Sequence, residues 1–371
     1  MSRVRVGMLT TTYGGGGFGE QAPLFRALLG SARREGCIAY VFTPAGVDWA
    51  AGRVRGWVAS PGGRWRRRSF PMPDVIYDRI VCRADLRLPA VDAALSRLKA
   101  MYRGRYFNPC LLDKWEVYQA LSGDPSLHGH LPETRLLTIP DVARDMAGRH
   151  PVMFIKPRAG TQGRRIVRLD RRTSDPMGPY LVRSQVSPER TVPTLDRAMA
   201  VAAPGAEDLI QQGIEGPSIR GGRPFDLRAL LHRDGRAGSR AESGWRLTCI
   251  VARVGRRGAI TSNLHTGGTA VRARTLLREV YRARPRQVRA ALARLRHLAL
   301  KVPPALERSF GHFGELALDL LLDGQGNPWL LEVNSRPGRR ALVLAGEGGA
   351  RALAGRRIFR HARSLVEGDD R

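Results

Sequence analysis

The sequence is poor in lysine, cysteine and acidic residues, and these shortages exclude several classes of protein. Of the 62 basic residues only four are lysine, and 33 acidic residues oppose them, which gives a formal net charge of +29. The four cysteines are scattered without a C-x-x-C pair, which is typical of reduced cytosolic thiols and argues against a zinc site or a disulfide framework. The sequence has no run of about 18 apolar residues, so no membrane-spanning helix is predicted. The first residues have no apolar segment typical of a secretion signal.

The chain has the length and the apolar content of a folded protein with more than one domain. Its 371 residues, 43% of them hydrophobic, are ample for a large core. The positive charge attracts nucleotides, nucleic acids and acidic polymers. The most basic stretches, residues 65–68 and 282–296, have no aromatic or zinc-finger signature of nucleic-acid binding. A solvated arginine-rich surface is therefore the preferred interpretation, and binding of an anionic polymer is the alternative.

The order of the predicted elements indicates an α/β fold. Residues 4–9 and 37–42 predict buried strands, and apolar residues at helical spacing predict a helix over 20–35 between them. A strand–helix–strand order is typical of a parallel sheet. The glycine-rich residues 14–19 do not match the G-x-G-x-x-G fingerprint of dinucleotide binding, so we expect a flexible turn or a substrate loop there.

The most informative segment is a predicted hairpin over residues 318–334, where two apolar runs flank a glycine-rich turn. If the turn is centred just before Gly326, Asp319 lies opposite Glu332. Asn334 shares the face of Glu332 because side chains alternate along a strand. Two opposed carboxylates repel each other unless a cation lies between them. Carboxylate and amide oxygens suit Mg²⁺, so the pattern predicts a magnesium site, with an ordinary acidic hairpin as the alternative.

Two of the four lysines lie where a bound anion would be expected. Lys156 ends an apolar strand and precedes a turn that contains Gly160 and Gly163, which would group an ammonium with backbone N–H donors. Lys114 lies at the start of a predicted helix over 113–121. Arginine does not freely replace lysine in a narrow phosphate pocket, because its charged group is a wide planar fork. The two lysines therefore indicate phosphate binding, and a plain turn with a surface lysine is the alternative.

Three further segments place polar residues beside predicted strands. Asp226 and Arg228 share a strand face, as a surface ion pair would. Asn263 lies in a polar glycine-containing loop. An apolar strand ends at residues 211–214, where backbone N–H and C=O groups can meet the edge of an adenine ring. None of these segments is specific by itself.

Taken in order, these segments resemble the ATP-grasp superfamily, and in particular its YheC/YheD-type, endospore coat-associated branch. The resemblance spans residues 74–338. The motifs that carry it are Phe107-Asn108-Pro109, Asp113-Lys114-Trp115, Phe154-Ile155-Lys156-Pro157-Arg158, Phe225-Asp226-Leu227-Arg228, Asn263 with Gly267-Gly268, and Leu331-Glu332-Val333-Asn334-Ser335-Arg336-Pro337-Gly338.

The resemblance implies a role for each candidate residue. The implied ATP-binding residues are Lys114, Lys156, Gly160, Thr161, Gly163, Gln211, Gln212, Gly213 and Ile214. Many relatives have a glutamate in this last stretch, the hinge between the lobes, where this chain has two glutamines. The implied ligands of one or two Mg²⁺ or Mn²⁺ ions are Asp319, Glu332 and Asn334. The implied catalytic groups are Arg228, Arg336 and Asn263, with Asp226 beside the substrate or phosphate.

The resemblance also implies a domain order and a function. We expect a Rossmann-like domain over residues 1–110, then two α+β lobes that sandwich ATP over 111–210 and 211–345, and a helical tail over 346–371. The implied protein is a cytoplasmic, ATP- and Mg²⁺-dependent ligase, with a role in the spore coat. It would activate a carboxylate as an acyl phosphate for attack by an amine, a thiol or a similar nucleophile. The alternatives are a non-catalytic ATP-binding coat or scaffold protein, a binder of anionic polymer, and a kinase that phosphorylates a hydroxyl group.

Overall fold

Three β-sheets, each built from its own stretch of sequence, form the framework of the protein. The computed structural model describes residues 3–12, 17–60, 62–160, 165–185, 187–217, 219, 221–235 and 244–367. All four cysteines are free thiols, as predicted. No helix in these ranges is both long and apolar enough to cross a membrane.

The first sheet is parallel at its centre, which confirms the pairing predicted from the strand–helix–strand order. Its elements are β1 (Arg5–Leu9), α1 (Ala22–Arg34), β2 (Ile38–Asp48), β3 (Arg53–Ala59), β4 (Trp65–Pro71), β5 (Val75–Asp78), α2 (Arg83–Leu86), α3 (Pro89–Tyr102) and β6 (Tyr106–Phe107). The strand order is β4-β3-β2-β1-β5-β6. Strand β1 runs parallel to β2 and β5, whereas β3 and β4 form an antiparallel basic hairpin at one edge.

The second sheet is antiparallel and carries the predicted phosphate-binding lysine. The elements of this region are α4 (Lys114–Ser122), β7 (Thr134–Leu136), α5 (Pro140–Arg149), β8 (Val152–Lys156), β9 (Val167–Arg171), β10 (Tyr180–Ser184), β11 (Arg190–Val192), α6 (Leu195–Ala202) and β12 (Leu209–Gln212). The strand order is β11-β10-β9-β8-β12-β7. A compact apolar core that includes Met153, Leu169 and Ile210 supports this sheet.

Strand β12 ends two residues before the sequence predicted, at the step from Gln212 to Gly213. The backbone of Gly213 lies so close to Val152 that a Cβ atom would overlap that side chain. The Gly213 N–H donates to the Val152 carbonyl at 2.8 Å. Strand β12 also runs across the domain boundary that we predict at residue 210. The division into domains stays a prediction.

The third sheet is antiparallel and lies on the longest helix of the protein. Its elements are β13 (Phe225–Arg233), β14 (Trp245–Val254), β15 (Thr269–Arg272), α7 (Ala273–Val280), α8 (Pro285–Phe310), β16 (Glu315–Leu322), β17 (Pro328–Asn334), α9 (Arg340–Leu344) and α10 (Gly348–Glu367). The strand order is β15-β14-β13-β16-β17. Leucines of β13 and β16, such as Leu227 and Leu318, share one buried core with Leu295 and Leu298 of α8.

The apolar spacing of residues 276–300 predicts one long arginine-rich helix, and this prediction is wrong, because the chain breaks between α7 and α8. Arg282 and Ala283 adopt positive φ angles of 46° and 57°, which a helix does not allow. Pro285 then occupies the first position of α8, where its fixed φ angle and missing N–H are tolerated.

The predicted pairing of Asp319 with Glu332 is confirmed, although the turn is centred elsewhere. Leu320 pairs with Leu330, so the turn is centred on Gln325, and Leu331 bulges out of the register. The predicted turn centre is slightly displaced from the observed one, and the bulge shifts the register by an amount that offsets this displacement. Asp319 therefore still lies opposite Glu332.

The C-terminal helix is not a separate tail. Ile358 and Phe359 of α10 share a core with Val6 and Phe25 of the first sheet and its helix. Arg360 forms an ion pair with Glu35 at 2.9 Å. The last helix therefore joins the end of the chain to its beginning.

Candidate functional site

A cleft of about 1020 Å³ opens between the second and third sheets. The residues that line it are Lys114, Lys156, Pro157, Gly160, Ile166, Arg228, Arg253, Asn263, Leu264, His265, Asp319, Glu332, Asn334, Gly338, Arg340 and Ala341. An adjoining pocket of about 600 Å³ is mostly apolar and shares Lys114, Lys156 and Glu332 with the cleft. The structure thus brings most of the predicted site residues to one place.

The position of Lys114 follows from the cap of helix α4. Asp113 precedes the helix, and its carboxylate accepts a hydrogen bond from the Trp115 N–H at 2.9 Å. Lys114 is the first residue of the helix, and its Nζ donates to the Gly160 carbonyl at 2.6 Å. The same Nζ lies 3.8 Å from a Glu332 carboxylate oxygen. The cap therefore directs this ammonium into the cleft.

Lys156 reaches the same region from the end of β8. Its Nζ donates to the side-chain carbonyl of Gln211, and the Gln211 amide donates to the Thr134 hydroxyl at 2.9 Å. Burial lowers the pKa of Lys156 to about 8; Glu332 raises this pKa and Lys114 lowers it further. The ammonium is charged at neutral pH and loses its proton at mildly alkaline pH.

Two arginines hold the carboxylate of Asp319 on both oxygens. Arg228 contacts it through Nε at 2.7 Å and through its terminal nitrogen at 2.8 Å, and Arg253 contacts it at 2.8 Å. Burial alone would raise the pKa of Asp319, but the two guanidinium groups outweigh it and lower the pKa to about 2. Asp319 is therefore ionised at any pH at which the protein would be studied.

Asp226 and Arg228 do not form the surface ion pair that was the alternative to a functional role, because each finds a partner on a neighbouring strand. Asp226 lies opposite Arg253 of β14, and Arg228 lies opposite Asp319 of β16. The Asp226 carboxylate accepts from Arg253 Nε at 2.6 Å and also from the Ser262 hydroxyl. Seen from the cleft, Asp226 therefore lies behind Arg253, which it holds in place.

The oxygen donors that face the cleft suit a hard divalent cation. Asp319, Glu332 and Asn334 supply two carboxylates and an amide. The buried Nδ2 of Asn334 has no hydrogen-bond partner among the described residues. This N–H donor cannot bind a cation, but a phosphate oxygen or a water would satisfy it. Within the described ranges no group of three or more His, Cys, Asp or Glu side chains could hold a metal. A metal site formed by Asp319 and Glu332 would therefore need the amide oxygen of Asn334 as its third protein ligand. The donor chemistry fits Mg²⁺ together with phosphate oxygens.

The remaining candidates divide between the cleft and other places. Asn263 and Gly160 line the cleft, and Gln211 lines the apolar pocket. Gln212 instead accepts a hydrogen bond from the Glu133 N–H at 3.1 Å. Of the rest of the predicted hinge, Gly213 lies against Val152 and Ile214 is half-buried just after it. Thr161 and Gly163, like residues 14–16 of the glycine-rich stretch, lie outside the described residues.

Arg336 is directed away from the cleft. Its side chain is buried, forms an ion pair with Asp78 at 2.7 Å and donates to the Asn108 carbonyl at 2.9 Å. It therefore joins the third sheet to the first sheet, and these contacts differ from the phosphate-neutralising role expected for it.

Sequence reasoning missed Arg253, His265 and Arg340 among the residues that line the cleft. Arg253 had a recognisable signal, because it interrupts an apolar strand between Ala252 and Val254. An arginine inside a strand with buried neighbours needs an acidic partner, and Asp226 and Asp319 are those partners. His265 and Arg340 are exposed residues, the latter at the start of α9, and they carried no such signal.

The comparisons with known proteins agree with this arrangement. A family described as YheC/D-like ATP-grasp matches residues 103–365. The chain is 27% identical over 359 residues to the endospore coat-associated protein YheD of Bacillus subtilis (strain 168), with 94% of this chain and 75% of that protein covered. It is 22% identical over 308 residues to YheC of the same organism, with 81% of each chain covered.

Solved structures share the fold at low sequence identity. The D-cycloserine synthetase DcsG superposes with a TM-score of 0.54 at 15% identity, covering 98% of this chain and 99% of that chain. The D-alanine-D-alanine ligase from Coxiella burnetii superposes with a TM-score of 0.53 at 10% identity, covering 99% and 97%. These likenesses confirm the predicted ATP-grasp fold. By the match over residues 103–365, this chain belongs to the YheC/D-like ATP-grasp family.

Proposed function

We propose that the protein is an ATP- and Mg²⁺-dependent ligase that activates a carboxylate as an acyl phosphate for attack by an amine or a similar nucleophile. One observation carries the proposal: two lysines, two arginines and the oxygen donors Asp319, Glu332 and Asn334 converge on one cleft beside an apolar pocket. Phosphoryl transfer requires mainly positioning and charge neutralisation from a protein, and this arrangement supplies both.

The nucleotide would lie across the two cavities. The apolar pocket, with leucines such as Leu121 and Leu330 and the polar side chain of Gln211, suits an adenine ring. Lys114 and Lys156 line both cavities, so they would meet the phosphates that follow the adenosine. Gly160, which also lines the cleft, would lie beside the phosphates.

The metal would be held by Asp319, Glu332 and Asn334. When bound, Mg²⁺ would neutralise the phosphate oxygens and orient the terminal phosphate. Arg228 and Arg253 now engage the Asp319 carboxylate. Incoming phosphate oxygens offer these guanidinium groups an alternative acceptor, which would free Asp319 for the cation.

The reaction needs no protein nucleophile. An oxygen of the substrate carboxylate attacks the γ-phosphorus, the bond to the bridging oxygen breaks, and ADP leaves. The nucleophile then attacks the acyl carbon, and phosphate leaves as its bond to that carbon breaks. The lysines and arginines that line the cleft would stabilise the charge that spreads over the transferred group.

Trapping with hydroxylamine tests this proposal. With Mg²⁺, ATP and a panel of carboxylic acids, the protein should form a hydroxamate and ADP in equal amounts for at least one acid. Asp319→Asn should lower that rate by about 100-fold or more, because one cation ligand is lost. Asp323→Asn is the matched control: it changes a carboxylate of the same hairpin at the turn, outside the cleft. An unchanged rate in a folded Asp319→Asn protein would remove the metal assignment.

A nucleotide-binding coat protein without turnover is the second candidate. The observation that favours it is that the relatives YheD and YheC are endospore coat-associated proteins. This candidate predicts Mg²⁺-dependent binding of ATP with no ADP formed, alone or with any member of the panel. The same hydroxylamine experiment therefore separates the two functions.

A further inference from the structure

A third cavity lies on the face of the third sheet that packs against α8, the face opposite the cleft. Its empty volume is about 860 Å³, and it is widely open to solvent. Its floor is aliphatic and consists of Leu247, Ile250, Ala273 and Leu292. The three larger residues of this floor are partly buried and pack against the main core. The floor is therefore half-buried and does not project from the surface.

The rim of this cavity is cationic. It consists of Arg272, Arg274 and Arg296, together with Glu347. Arg272 forms an ion pair with Glu347 at 3.2 Å. Arg274 and Arg296 are exposed, and neither has an ion-pair partner within the described ranges. Two guanidinium groups thus face solvent beside an apolar floor. We call this site the arginine-rimmed groove.

The positive charge continues along both helices beside the groove. The further exposed arginines are Arg278, Arg282, Arg284, Arg286, Arg289 and Arg294. Glu279 is the only acidic residue between positions 269 and 306 of the sequence. The cleft differs in this respect, because there Arg228 and Arg253 are paired with carboxylates. The stretch from 269 to 306 is therefore strongly positive, and its field attracts anions.

We propose that the arginine-rimmed groove docks an acidic segment of a partner protein, which inserts an aliphatic side chain between flanking carboxylates. The positive charge of the rim attracts the carboxylates, and the apolar floor suits an aliphatic side chain. Nucleic acid fits less well, because the groove has no aromatic side chain on which a base could stack. A membrane surface also fits less well, because the larger aliphatic residues of the floor are half-buried and do not project from the surface into a bilayer. The groove is separate from the nucleotide cleft, so this interaction does not depend on the proposed ligase activity.

Fluorescence anisotropy with the full chain tests the proposal. The probes are a labelled octapeptide of six glutamates with two central leucines, an all-glutamate octapeptide and the leucine peptide with glutamine in place of glutamate. The acidic leucine peptide should bind at least about fivefold more tightly than either control peptide. A labelled DNA duplex and vesicles of anionic lipid complete the set. Tighter binding of either of these at the groove would overturn the assignment to a peptide.

Matched charge variants decide whether the groove itself is the site. The double variant Arg274→Gln with Arg296→Gln should bind the acidic leucine peptide about tenfold more weakly, because two screened ion pairs are lost. Arg66→Gln with Arg68→Gln removes the same charge from the exposed hairpin strand β4 and should change binding less than twofold. Leu292→Ser should abolish the preference for the leucine peptide over the all-glutamate peptide. Equal losses in both double variants would show attraction to net charge alone and would overturn the proposal.

Discussion

Among single residues, Lys156 is the group whose charge would respond most directly to pH. Burial of its ammonium lowers the pKa of Lys156 to about 8, so it loses its proton as the pH rises through 8. ATP binding requires the charged form, and affinity should therefore fall about tenfold between pH 7.5 and pH 9. The dissociation constant of a non-hydrolysable ATP analogue, measured across this range, checks the prediction.

Two variants of the same chemical type make this pH test specific. Arginine in Lys156→Arg keeps its charge throughout the range. The affinity of this variant for the ATP analogue should therefore be lower than that of the wild-type protein at pH 7.5, but it should not change with pH. Lys99→Arg changes an exposed lysine of α3 and should keep the wild-type slope. A wild-type profile without a slope, or the same slope in Lys156→Arg, would show that this ammonium does not bind phosphate.

The charged residues also show how far single positions could be predicted. Strand periodicity correctly placed Asp226 and Arg228 on one face of β13. It could not supply their partners, because Arg253 and Asp319 come from two different strands whose register depends on the whole sheet. Arg336 was beyond prediction for the same reason, since Asp78 belongs to another sheet.

Among the elements, the start of helix α4 positions one of the two lysines. The Asp113 side chain caps the helix and also pairs with Arg158 at 3.0 Å. Asp113→Ala should lower the free energy of unfolding by about 1 kcal/mol and weaken nucleotide binding, because Lys114 is the first residue of a helix that would then fray. Asp113→Asn can still cap the helix and should recover most of both effects. Urea denaturation measures the free energy of unfolding, and nucleotide titration measures the affinity. Equal losses of stability and affinity in the two variants would contradict the capping argument.

The β16–β17 hairpin shows why the site was predictable from sequence and its details were not. Alternation and a glycine-rich turn are local signals, and they correctly paired Asp319 with Glu332. The bulge at Leu331 has no local signal, because a bulged leucine does not differ in type from its neighbours. The register at the site came out correctly because the bulge offset the shift of the turn.

At the scale of the whole molecule, a buried charge cluster joins the first and third sheets. Glu315 is fully buried, contacts Arg79 at 2.6 Å and also pairs with Arg339. Burial alone would raise the pKa of Glu315, but Arg339 and Arg79 hold this pKa well below its usual range. Glu315→Gln leaves two buried guanidinium groups without their counter-charge and should lower the free energy of unfolding by about 3–5 kcal/mol.

Denaturant unfolding compares this loss with that of an exposed pair. Glu367→Gln breaks an exposed ion pair with Arg363 on α10 and should change the free energy of unfolding by less than about 1 kcal/mol. Similar stability of the two variants would show that the cluster does not join the sheets. The sequence did not indicate this junction, because Arg79 and Glu315 are 236 positions apart along the chain.

The central claim is that the cleft binds ATP together with Mg²⁺ through Asp319. Calorimetric titration of the full chain with a non-hydrolysable ATP analogue, with and without Mg²⁺, tests it most directly. The wild-type protein should bind the analogue more tightly with Mg²⁺. Asp319→Asn should still bind the analogue, because Arg228 and Arg253 are released for phosphate, but its affinity should no longer depend on Mg²⁺. Wild-type protein that binds no analogue, or an Asp319→Asn protein with the full Mg²⁺ dependence, would contradict the account.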